Sequence, residues 1–77
     1  MASDNGSRAR RKVLQALGER VRDCRHDRGL TQQELADKVD LSVAYVSLIE
    51  RGGRNPPITT VYALARALGV GARDLCS

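Results

Sequence analysis

Three side chains near the middle of the chain have types and spacings that do defined hydrogen-bonding chemistry. They are Thr31 and Glu34 in LTQQEL, and Ser42 in LSVAYV, eleven residues after Thr31. A hydroxyl just ahead of a helix accepts a bond from a backbone N–H two or three residues on, and a Glu at the third helical position returns a bond to the cap's own N–H. Leu30 with Leu35, and Leu41 with Val46, stand where apolar side chains clip such a helix start from outside. The stretch therefore opens a helix, stops, and opens another at once. Other reactive types are dispersed: His26 is the single histidine, Cys24 and Cys76 match no metal spacing, and no carboxylate pair is set for acid–base work. The expectation is a chain that is not an enzyme and takes no metal, cofactor or small-molecule ligand.

The elements that position these residues follow from apolar spacing. Leu14, Leu17, Val21 and Cys24 recur at steps of three, four and three, which puts them on one stripe of a helix. That helix is expected from a cap at Ser7 to Arg28, with Gly29 supplying the left-handed stop. Ahead of it, MASDNGS is small and polar, so residues 1–6 read as a disordered arm and 7–77 as one domain. A second helix is predicted from about Gln32 to Val39, burying Leu35, Ala36 and Val39. The third runs from Val43 to Arg51, burying Val46 and Ile49, until Gly52 and Gly53 break it. Consecutive prolines in RNPP make a loop. A fourth helix follows from Pro57 or Ile58 to Leu68, with Val61, Leu64, Ala65 and Leu68 inward, and ARDL adds a last short turn. No strand pattern occurs, so the fold class is all-α, a bundle of about five short helices.

Size and charge narrow the function. Seventy-seven residues make one small domain of modest stability, and 13 Lys and Arg against 9 Asp and Glu give a net charge of +4. That balance suits a polyanionic partner and also an ordinary soluble protein. No apolar run approaches the ~20 residues that span a bilayer, and the amino terminus carries no apolar signal core. With two thiols and no secretory leader, the chain reads as reduced and cytoplasmic. Only Tyr45 and Tyr62 are aromatic, too few for the stacking platforms of single-stranded nucleic-acid binders.

Two caps so close together force the second and third helices to cross steeply, which leaves one face of the third helix free. At ~100° per residue, turning Val46 and Ile49 inward turns Val43, Ala44, Ser47 and part of Leu48 outward. That face is small and uncharged, and a smooth helix fits the major groove of B-DNA, ~12 Å wide. A plain helical hairpin is the alternative reading of the same pattern.

The run LTQQELADKVDLSVAYVSLIERGGRNPP, followed by LARALGV, resembles the Cro and lambda-repressor-like helix-turn-helix family, also called the xenobiotic-response-element family. The likeness covers about residues 14 to 76. It implies a five-helix, sequence-specific domain for double-stranded DNA that regulates transcription, as a homodimer on a palindromic operator. In size the chain is similar to the small controller proteins of restriction–modification systems and to compact phage repressors, and such a regulator is cytoplasmic and nucleoid-associated. By resemblance, Gln32 meets the DNA backbone, with a solvated helix start as its alternative, and Ser42, Val43, Ala44, Ser47 and Leu48 face base edges or nearby phosphates; Gln33 is counted with the DNA-binding residues, and Tyr45 offers its hydroxyl to a phosphate. Arg51, Arg54 and Asn55 clamp phosphate after the third helix, and Arg25 pairs with Glu50 to join the first and third helices. Two positions depart from the family: Asp40 stands where glycine is usual in the turn, and Pro57 where a serine cap is usual.

Several residues keep two readings at this stage. Leu48 and Tyr45 serve either DNA or packing. Arg8, Arg10, Arg11 and Lys12 either follow DNA or are a solvated helix start. Val70 and Leu75 are expected at a carboxy-terminal dimer interface, with closure of the chain's own core as the alternative. A protein-interaction module, such as an antitoxin or anti-repressor subunit on the same scaffold, is the rival function.

Overall fold

A computed structural model describes the backbone of residues 2–76 and the side chains of residues 6–76. Five helices succeed one another: α1 (Ala2–Asp27), α2 (Gln32–Val39), α3 (Val43–Glu50), α4 (Ile58–Leu68) and α5 (Ala72–Cys76). No strand occurs among the described residues.

The doubled helix start is built as its residues dictate. Thr31 Oγ1 accepts from Glu34 N at 3.0 Å, and Glu34 Oε1 accepts from Thr31 N at 2.8 Å. The two bonds close a reciprocal box on α2. Ser42 Oγ accepts from Tyr45 N at 3.1 Å and starts α3. Between the helices, Asp40 takes the left-handed conformation at φ 57°, and Leu41 N donates to Ala36 O at 3.0 Å. Asp is among the few residues with a side chain that accepts this region at low cost, so the turn forms without the family's glycine.

Leu17, Val21, Leu35, Ala36, Val46, Ile49, Val61, Leu64, Ala65 and Leu68 are all buried and form one core. Leu14, Cys24 and Val39 are half-buried at its margin. Pro57 flanks α4 without a side-chain cap, and its carbonyl accepts from Thr60 N and Val61 N at 2.9 and 3.1 Å. Cys24 and Cys76 are free thiols, and burial pushes the Cys24 thiol up.

The structure alters two expectations. Helix α1 begins at Ala2, so Ser7 lies within it rather than capping it. The step contains no proline, and Gly6 alone does not halt a helix. Leu75 is 1% exposed and sits in the core, so it offers no surface to a second chain. It is held there because α5 folds back on both α1 and α4. Val70 is half-buried against the same core.

Candidate nucleic-acid interface

The third helix is held by its C-terminal end. Glu50, although charged, is buried, and its carboxylate accepts from Arg25 Nε at 2.7 Å, from Arg25 Nη2 at 3.0 Å and from Gln32 Nε2 at 3.0 Å. The remaining guanidinium nitrogen, Nη1, donates to Leu30 O at 2.9 Å. One carboxylate thus ties the end of α1, the first residue of α2 and the last residue of α3. The bond to Glu50 holds Arg25 above the ordinary arginine range, so it stays charged. A fork of parallel bonds also fixes orientation, which a lysine would not do.

Gly18 sets the distance between α1 and α3. A Cβ at this position would fall within 3 Å of the backbone carbonyls of Ile49 and Glu50, so only glycine lets the helices approach this closely. The sequence reading missed Gly18 because a glycine inside a helical stripe has no signature apart from its cost in helix propensity. Gly52, at φ 76°, reverses the chain against α1, and a Cβ there would lie 3.1 Å from Gln15 Cα.

With α3 fixed in this way, the residues that the sequence singles out divide between exposed and half-buried positions. Val43 is 39% exposed, and Ser42 and Ala44 are exposed beside it. Tyr45, Ser47 and Leu48 are half-buried, and the Tyr45 ring packs against the core. Arg51, Arg54 and Asn55 are exposed in the loop that follows. Gln33 is exposed and donates to Asp37 Oδ1 at 2.9 Å. Gln32 differs from expectation in being half-buried with its amide engaged by Glu50, so it acts first as a brace between helices. No spacing rule reveals that contact, because the two residues are 18 positions apart.

Among the described residues, no group of three or more His, Cys, Asp or Glu could hold a metal ion, and no helix is long and apolar enough to cross a membrane. The exposed chemistry is that of a surface helix bordered by a basic loop.

The chain is similar to known proteins in sequence and in fold. The family model described as helix-turn-helix matches residues 21–75. The uncharacterized HTH-type transcriptional regulator y4dJ of Sinorhizobium fredii is 42% identical over 59 residues, covering 77% of each chain. Control protein C.BamHI of Bacillus amyloliquefaciens is 39% identical, over 77% of this chain and 74% of its own. The crystal structure of the restriction-modification controller protein C.AhdI from Aeromonas hydrophila superposes with a TM-score of 0.78 at 39% identity, covering 80% of this chain and 94% of that one. The match over residues 21–75 and the likeness to HTH-type regulators show that the chain belongs to the helix-turn-helix family of transcriptional regulators.

Proposed function

We propose that this protein is a non-enzymatic, cytoplasmic regulator of transcription that binds a palindromic operator in double-stranded DNA as a homodimer and reads each half-site with α3. The observation that carries the reading is the burial of Val46, Ile49 and Glu50 on one side of α3 while Ser42, Val43 and Ala44 stand exposed on the other. Val43 and Ala44 suit contact with thymine methyl groups, and the hydroxyls of Ser42 and Ser47 pair with donors or acceptors. Arg51, Arg54 and Asn55 hold phosphates beside the groove, and Tyr45 adds its hydroxyl at the edge. The exposed face of α3 carries no Arg, Asn or Gln for bidentate base contacts, so part of the specificity comes from the shape of the DNA.

A second copy supplies the rest of the affinity, because a single small module buries little surface on DNA. With Leu75 in the core, a twofold partner is offered half-buried Val70 and the apolar pair Ile58 and Tyr62, one turn apart on α4 and 61% and 60% exposed. The test is a selection of bound fragments from genomic DNA, followed by titration of a recovered duplex and a scrambled one at fixed salt. The reading expects palindromic fragments with half-sites about one helical turn apart, ~34 Å, and a clear preference over the scrambled duplex. Equal, weak binding to both would favour the protein-interaction module instead.

A further inference from the structure

The family match covers residues 21–75, and α1 runs ahead of it from Ala2. Arg8, Arg11, Gln15, Gly18, Arg22 and Arg25 recur along it at steps of three, four, three, four and three. Such spacing keeps residues on one stripe of a helix. Contacts at the far end of the stripe fix where it faces: Arg25 grips Glu50, and Gly18 lies against the carbonyls of Ile49 and Glu50. One turn further back, Gln15 packs on Gly52, and Arg22 shares a polar crevice with Gln15, Glu50 and Arg51. The stripe therefore runs along the C-terminal end of α3 and the start of the basic loop. Arg11 and Arg8 continue it past that loop, ~6 and ~10 Å beyond Gln15 at 1.5 Å per residue. Both are exposed.

From this placement we propose that Arg8 and Arg11 extend the phosphate contact of Arg51 and Arg54, gripping the backbone of the DNA duplex outside the base pairs that α3 reads. The inference rests on the reading of α3 as a DNA-binding helix. A rigid helix presents the two guanidinium groups at a fixed spacing, which costs less ordering entropy than a flexible basic arm. The contact is with phosphate alone, so it adds affinity without adding sequence preference. Arg10 lies off the stripe, on a different side of α1, and serves as an internal control of equal charge.

The experiment uses the full chain with Arg8→Ala, Arg11→Ala and Arg10→Ala, and titrates a duplex recovered by fragment selection and a random duplex of equal length at several salt concentrations. Each stripe variant should lower the slope of log K against log salt by about 0.9 per subunit, the value for one phosphate contact. It should weaken binding to both duplexes by a similar factor, about threefold or more at moderate salt. Arg10→Ala should keep the parent slope. Parent slopes in the Arg8 and Arg11 variants, or equal losses in all three, would overturn the inference while a preserved preference for the selected duplex upholds the regulatory reading. Absence of that preference in the parent protein would sink the regulatory reading instead, and with it this one.

Discussion

Arg25 Nε lies 2.7 Å from Glu50 Oε2, with side chains only 9% and 3% exposed, and these two residues, 25 positions apart in the sequence, form the joint on which α3 is mounted. A pair this deeply buried differs from a surface ion pair, because removing one partner strands the other charge out of water. Arg25→Ala should therefore cost about 3–5 kcal/mol, against under ~1 kcal/mol for an exposed pair. In a domain this small, each kcal/mol lowers the melting temperature by about 4–8 °C, so a thermal melt reads it directly. An unchanged melting temperature would refute the joint.

Gly18→Ala reverses the usual sign of its substitution. In an exposed helix, alanine gains about 0.5–1 kcal/mol over glycine. Here the new methyl meets backbone carbonyls of Ile49 and Glu50, which cannot swing aside as a side chain would. Overpacking should outweigh the propensity gain and destabilise the protein by about 1–3 kcal/mol. Denaturant titration of the variant would show a lower midpoint; a higher one would mean that α1 and α3 are further apart.

The box on α2 makes stability depend on pH. Hydrogen bonds from Thr31 hold the Glu34 carboxyl below the usual carboxylate range. A group with a lowered folded-state pKa stabilises the fold above its unfolded pKa, about 4.3, and loses that contribution as pH falls through the folded value. Glu34→Gln keeps an acceptor but does not titrate, so its denaturation midpoint should change less than the parent's on acidification below about pH 5. Parallel acid profiles would contradict the box.

Ala44→Glu tests α3 as the reader. The exposed position tolerates the larger side chain, so melting should be nearly unchanged. A carboxylate facing phosphates and base acceptors should weaken binding to a selected duplex by at least tenfold, about 1.4 kcal/mol. Equal affinity at fixed salt would place the reader elsewhere.

Leu75 and Tyr62 separate core from surface. Leu75→Asp puts a carboxylate into the core and should unfold the chain, as seen in lost helical circular dichroism. Tyr62→Asp should leave a folded protein that sediments as a monomer and binds a palindromic duplex more weakly. A folded Leu75→Asp variant, or a Tyr62→Asp dimer of undiminished affinity, would reverse the assignment.

The sequence by itself determined the parts that obey local rules. Thr31, Glu34 and Ser42 cap where their spacing requires, because a helix start depends only on neighbouring N–H groups. The inward residues of α2, α3 and α4 follow from helical period, and the exposed positions Val43 and Ala44 follow from their complement. Tertiary structure alone decided what depends on contacts between distant residues. Gln32 turns to Glu50 because folding brings a buried carboxylate with spare acceptor capacity beside it. Gly18 matters because two backbones meet there, and nothing near it in sequence records that meeting. Leu75 is core because α5 closes over α1 and α4, whereas apolar character alone suited an interface equally well. Local hydrogen bonding and period are written residue by residue; the choice of which apolar or polar side chain meets which partner is made only when the helices pack.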